Sequence, residues 1–246
     1  MGYTCDIIAS NQKAGIITMK LIIAGLGPGN TGLLTLSALN AAKCADLILV
    51  PRSAPEHKGV AEKILAHHLP DTDFQHIVFP MILDPEIRSQ RILSQLTDLR
   101  TKWESVSCIF FPVIGDSTLY STAAYLLEAF EVLGVDVQPE FIPGISAHSL
   151  AASCAKRFMA QGQDILTIIP GTAEPQRIRH ALNACDCAAI YKPTALRNIH
   201  ELAQDFGKVI RVDFAGIPEL ERIIHGTEAL ENIHEYLSVI LLWRNS

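Results

Sequence analysis

From Met19 onward, short apolar runs alternate with stretches of helical period, and this alternation restricts the possible folds more than any other feature of the chain. Leu21-Ile22-Ile23-Ala24, Leu47-Ile48-Leu49-Val50, Ile77-Val78-Phe79 and Val106 to Val113 read as buried strands, bounded by turn residues or proline. Between them, helical spacing predicts helices over Leu33 to Cys44 (through Leu33, Leu36 and Leu39), Val60 to His68 and Pro85 to Trp103. The clearest helix is Ser117 to Gly134, where Leu119, Ala123, Leu126, Phe130 and Leu133 fall at steps of three and four. Ser117 or Thr118 can cap its start and Gly134 suits its end. Such alternation implies an α/β fold with a mainly parallel sheet covered on both faces.

A second block follows Val135 to Glu140, with a turn at Pro143-Gly144. It reads as a small-residue helix (Ser146 to Lys156), strand (Ile165 to Ile169), helix (Pro175 to Asn183), strand (Ala188 to Tyr191), helix (Leu196 to Phe206), and strands at Val209 to Phe214 and Tyr236 to Trp243. The expected organisation is an extension over 1–18 and two α/β domains, 19–137 and 138–246. Met19-Lys20, directly before the first strand, resembles a natural start.

Composition excludes several classes. With 49% hydrophobic and 19% charged residues the chain belongs with globular proteins rather than disordered ones. The formal charge of −6 argues against a general nucleic-acid coat, which needs a basic face, but leaves room for a local basic pocket. Six scattered cysteines without a C-x-x-C pair read as thiols of a reducing compartment. No apolar run is long enough for a membrane span and no secretory leader is apparent, so a cytoplasmic location is expected.

Three loops could carry chemistry. Gly25-Leu26-Gly27-Pro28-Gly29-Asn30 follows the first strand. A dinucleotide fingerprint would want glycine at position 30, and Pro28 removes a backbone N–H from the turn. Asp46, which precedes the second strand, is also misplaced for a ribose acceptor. A tight strand–helix turn without ligand is the plain alternative. Pro112-Val113-Ile114-Gly115-Asp116-Ser117-Thr118-Leu119-Tyr120 again joins a strand end to a helix, the edge where open α/β sheets bind ligands. Asp116 there either accepts hydrogen bonds from a ligand or caps the helix. Pro143-Gly144-Ile145-Ser146-Ala147-His148 offers a flat, small-residue wall, or only a turn with a serine cap. The adjacent His67-His68 lacks metal-ligand spacing, and no G-x-S-x-G elbow is present. No metal is expected.

The order of these loops, G-x-G-P-G, then G-D-x-x-x-Y, then P-G-I-S-A, resembles the tetrapyrrole methylases, the class III S-adenosylmethionine-dependent methyltransferases, from about Lys20 to Trp243. Further features resemble the branch that methylates carbon 20 of precorrin-2 or cobalt-factor II in cobalamin formation. They are Phe79-Pro80-Met81 leading to Asp84, Gly115 to Thr122, Tyr191-Lys192 followed by Arg197-Asn198, and Tyr236 to Ile240. Ser117 stands where the family usually has proline and Tyr191 where many members have methionine. Pro51 replaces the aspartate of uroporphyrinogen-methylating relatives.

The resemblance implies two α/β domains with S-adenosylmethionine folded in the cleft between them. Its contacts would be Pro28, Gly115, Asp116, Leu119, Ser146, Ala147 and Tyr191, with Ala215 or Gly216 nearby. It further implies a small tetrapyrrole substrate and a homodimer. Asp116 is a candidate for the base that removes a proton after carbon methylation. A polycarboxylate substrate needs local positive charge on an acidic chain. Arg52, His57 and Lys58 are the first candidates, with Tyr120 beside them; Arg88 and Arg91 also fit a solvated helix face. Other methylases of this fold (for uroporphyrinogen, diphthine or ribosomal RNA), a silent tetrapyrrole-binding module and a nicotinamide oxidoreductase are the alternatives.

Overall fold

A computed structural model describes residues 18–80 and 84–244, so 1–17 of the expected extension and Met81 of the Phe79-Pro80-Met81 segment lie outside the described residues. The chain divides into two units, Met1–Ile145 and Ser146–Ser246.

The first unit runs β1 (Thr18–Gly25), α1 (Leu36–Cys44), β2 (Leu47–Arg52), α2 (Val60–His68), β3 (Gln75–Val78), α3 (Pro85–Asp98), α4 (Arg100–Trp103), β4 (Cys108–Val113), α5 (Ala123–Val132) and β5 (Asp136–Ile142). Its five strands form a wholly parallel sheet in the order β3-β2-β4-β1-β5. Strand alternation sends Cys108 and Phe110 to one face, where they pack with Ile22, Ile48, Ile64 and the alanines of α1. Ile109 and Phe111 go to the other, against Leu96, Trp103, Leu126 and Phe130. Burying each such aromatic stabilises the unit by about 1.5–3 kcal/mol.

Three expectations change here. The first domain does not stop at 137: β5 pairs in parallel with β1 from Thr18↔Asp136 to Ala24↔Ile142, which carries the unit to Ile145. Pro139 is tolerated within β5 because this is an edge strand, where proline's missing N–H can be accommodated. In α1 the buried residues are Ala38, Ala41 and Ala42, whereas Leu36 is 78% exposed, so the leucine stripe is not the core face. The helix expected from Ser117 begins only at Ala123, since the preceding residues form a turn around Asp116. Its end is as expected. Gly134 at φ +71 closes a Schellman motif, with Val135 N–H to the Phe130 carbonyl at 3.1 Å.

The second unit contains α6 (Ala147–Cys154), β6 (Leu166–Pro170), α7 (Pro175–Asn183), β7 (Cys187–Tyr191), α8 (Ile199–Ala203), β8 (Lys208–Asp213), β9 (Arg222–His225) and β10 (Ser238–Trp243). Its sheet is mixed rather than mainly parallel. The order is β6-β7-β10-β8-β9, and only the β6–β7 pair is parallel. β10 is buried at all six positions, with α6 on one face and α7 and α8 on the other. Because β7 and β8 both run antiparallel to β10, their carboxyl ends share one edge. The described cysteines carry thiols, and no described helix is long and apolar enough to cross a membrane.

Candidate active site

In the first unit β1 and β4 are neighbours whose connections leave on opposite faces of the sheet. After β1 the chain turns to α1 on one face, and after β4 it passes to α5 on the other. That reversal makes the carboxyl edge a topological switch point, the position where parallel sheets receive ligands. Both loops there are glycine-bent. Gly27 (φ +76) and Gly115 (φ +77) form an isolated antiparallel bridge, with Gly115 N–H to the Gly27 carbonyl at 2.9 Å and the reciprocal bond at 3.2 Å. A Cβ built on Gly25 would lie 2.5 Å from the Gly115 oxygen and 2.6 Å from the Gly144 nitrogen. Three separate bends therefore meet backbone to backbone, which only glycine permits.

Asp116 secures this meeting. One carboxylate oxygen accepts the Thr118 N–H (2.9 Å) and hydroxyl (2.5 Å), and the other accepts the Gly144 N–H at 3.0 Å. Partial burial tends to raise this carboxyl, but the bonds from Thr118 and Gly144 outweigh it and hold the group below its ordinary value. The aspartate is thus an Asx turn and cross-loop anchor rather than the cap of α5. An anion stabilised by three donors is also a weaker base, which counts against the proton-removing role expected from the family resemblance. About four acceptor directions belong to a carboxylate, so capacity for one ligand donor remains. Pro28, Gly115, Asp116, Leu119 and Tyr120 all fall in these two loops. Tyr120 is strained at φ +53 and 40% exposed.

The basic residues at the end of β2 behave differently from one another. Arg52 is committed: its Nε and one terminal nitrogen each donate to Glu62 at 2.8 Å, and the other donates to the Pro55 carbonyl. Glu62 is 4% exposed, lies 3.4 Å from His76, and is held low first by its bonds to Arg52. The Arg52 charge is therefore balanced inside the unit, contrary to its expected role as the cation for substrate carboxylates. His57 and Lys58 are exposed on the following loop. Arg88 lies over the Tyr125 ring at 4.3 Å. Asp46 accepts the N–H groups of Ser107 and Cys108 at the opposite sheet edge, which removes it as a ribose acceptor beside Gly25 to Asn30.

In the second unit, Ser146, Ala147, Tyr191 and Ala215 lie at the start of α6 and at the shared edge of β7 and β8. The Tyr191 hydroxyl accepts the His148 N–H at 3.1 Å and meets the His148 Nδ1 at 2.9 Å. Burial pushes the His148 ring below its ordinary value. Ser146 makes no cap bond; its hydroxyl meets Ser149 at 2.9 Å and the His148 Nε2 at 3.4 Å. Phe214, just after β8, is held at φ +52. A bulky residue there signals constraint around the site. The sequence reading missed His148 and Glu221, the latter accepting the Gly216 N–H at 2.8 Å. The small-residue setting of His148 and the glycine-bent loop before Glu221 were the only signals.

The two α/β units have the fold of solved methyltransferases, among them a cobalt precorrin-4 methyltransferase matched with a TM-score of 0.66 at 18% identity over 92% of this chain and 95% of that one. The chain belongs to the Tetrapyrrole (Corrin/Porphyrin) Methylases, whose family profile matches 20–230. It is 32% identical over 154 residues to a protein of Methanocaldococcus jannaschii named probable cobalt-precorrin-2 C(20)-methyltransferase, a match spanning 63% of this chain and 65% of the relative's length. It is 26% identical to the cobalt-precorrin-2 C(20)-methyltransferase of Salmonella typhimurium, over 70% of this chain and 72% of that one. Its fold matches that of the uroporphyrin-III C-methyltransferase of Thermus thermophilus complexed with S-adenosylhomocysteine. The TM-score is 0.63 at 18% identity, covering 92% of this chain and 97% of that structure.

Proposed function

We propose that this chain moves the methyl group of S-adenosylmethionine to carbon 20 of a reduced tetrapyrrole, precorrin-2 or its cobalt-bearing counterpart. The observation that carries this reading is the meeting of glycine-bent loops at the carboxyl ends of β1 and β4, tied by Asp116 to Gly144, on a chain whose relatives are named for that reaction. The donor set fits the methyl donor: an anionic carboxylate with spare acceptor capacity for an amine or ribose hydroxyl, beside bare strand-end backbone. When bound, the donor supplies a methyl carbon already activated on a sulfonium. The chain's own task is alignment, which can supply about 7–11 kcal/mol. Asp116 keeps the loops in register, and the exposed Lys58 supplies positive charge for the substrate's carboxylates, with the exposed His57 beside it as a hydrogen-bonding ring. A homodimer in the cytoplasm completes the reading.

Incubation with S-adenosylmethionine and either metal-free or cobalt-loaded precorrin-2, followed by mass spectrometry and NMR of the pigment, tests it. One added methyl on carbon 20 is the expected product. Pigment binding without any mass gain would instead identify a silent binding module.

A further inference from the structure

Helix α6 is held at both ends. Near its start, the His148 N–H and ring bind the Tyr191 hydroxyl at the end of β7. In its last turn, the Cys154 thiol donates to a Glu221 carboxylate oxygen at 3.3 Å. That same oxygen accepts the N–H of Gly216 at 2.8 Å. Glu221 stands at the foot of the hairpin loop that joins β8 to β9, since the Asp213↔Arg222 pair is the last rung of that ladder. Its side chain therefore reaches back across the loop to grip the apex side, and the helix grips the same atom.

The loop needs gripping. Phe214 sits at φ +52 and Gly216 at φ +82, with Phe214 N–H bound to the Leu237 carbonyl at 2.7 Å and Ile217 N–H to the Phe214 carbonyl at 3.0 Å. A bulky residue in the left-handed region persists only where the surroundings over-determine it. Between Phe214 and Gly216 lies Ala215, 7% exposed and packed in the same cluster as Ala147, Ala151 and Tyr191. The residues assigned to the methyl donor in this unit thus sit on three segments, the start of α6, the end of β7 and the 214–216 turn, and Glu221 ties the turn to the last turn of α6.

We propose that Glu221 is a positioning residue for donor binding: its carboxylate clips the 214–216 turn to α6 and so sets the placement of Ala215 relative to Ser146 and Ala147. The proposal rests on the donor-binding reading given above. Removing the acceptor frees the Gly216 N–H, and the strained turn relaxes away from the geometry that binds the donor. The Cys154 thiol contributes the weaker half of the clip.

The test compares S-adenosylhomocysteine binding by calorimetry with amide hydrogen exchange in the ligand-free full-length chain. Glu221→Ala is expected to weaken binding about tenfold, the size of a lost charge-assisted hydrogen bond, and to speed exchange at Gly216 while β8 amides stay protected. Glu221→Asp, which keeps the charge but shortens the reach, should behave the same way, and it serves if the alanine variant does not fold. Glu221→Gln retains an acceptor oxygen and should stay within about threefold of the parent; Cys154→Ala should also do so. Parent-like binding by both Glu221→Ala and Glu221→Asp would overturn the proposal, as would equal weakening in Glu221→Gln. If the parent protein itself fails to bind S-adenosylhomocysteine, the donor reading fails, whereas unchanged Gly216 exchange in Glu221→Ala would show separately that no clip exists.

Discussion

The Asp116 carboxylate accepts the backbone N–H of Gly144 at 3.0 Å, joining the loop after β4 to the loop after β5 across 28 residues of chain. With Gly25 wedged between them, the relationship locks three strand ends of one sheet. It makes Asp116 chiefly a structural anion, held by two donors from Thr118 and one from Gly144.

Asp116→Ala removes three hydrogen bonds and leaves the Gly144 N–H without its carboxylate. We expect a loss of about 1–3 kcal/mol, read by urea unfolding. The sign with pH follows from the lowered carboxyl. Its stabilisation is complete above the unfolded value, about 3.9, and is lost as pH falls through the lower folded value. The parent should therefore lose stability more steeply than Asp116→Ala on acidification below about pH 4.

Gly144→Ala places a Cβ 2.6 Å from the carbonyl carbon and oxygen of Gly25, backbone atoms fixed in the sheet. Overpacking of this kind costs about 1–3 kcal/mol, and here no flexible side chain can yield. A melting temperature equal to that of the parent would refute the close approach. Gly134→Ala has open space but φ +71, so its cost is one of backbone strain alone.

Ser117 is 1% exposed and its hydroxyl has no hydrogen-bond partner among the described residues. A buried unsatisfied hydroxyl costs about 1–3 kcal/mol, so Ser117→Ala should raise stability by about 1 kcal/mol. Thermal unfolding checks this, and any destabilisation would indicate a partner for the hydroxyl.

Burial lowers the His148 value below its ordinary 6.5. The buried ring is favoured in its neutral form, and that stabilisation, complete above the unfolded value, is lost as pH falls through the lower folded one. Stability should therefore decline on acidification from about pH 6.5, and His148→Gln should flatten that slope. Tyr191→Phe should remove the hydroxyl without the slope vanishing, because the imidazole stays buried.

Arg52→Ala strands the Glu62 carboxylate, 4% exposed, with His76 at 3.4 Å as its other partner. Breaking a buried pair from one side costs about 3–5 kcal/mol. The prediction is a large fall in stability with the variant's tetrapyrrole affinity, where it folds, changed less than in Lys58→Ala. A pigment titration reversing that order would restore Arg52 as the substrate's cation.

Four of the five strands of the first sheet were readable as apolar runs, as a parallel strand covered on both faces requires: β4 is buried at every position. The glycine-bent loops were readable for a related reason, since glycines clustered at strand ends mark sharp bends and close backbone approach. Partnership was not readable. Arg52 and Glu62 lie ten residues apart, and nothing in their spacing says that they pair rather than face solvent. Pro139 reads as a break until β5 is seen to take the sheet edge, and β9 is too short and too exposed to announce itself. Local composition determined which segments could be buried and where the chain could bend sharply. The tertiary structure alone decided which bends meet and which charges cancel, because those depend on strand order, and strand order is set by packing between residues far apart in the chain.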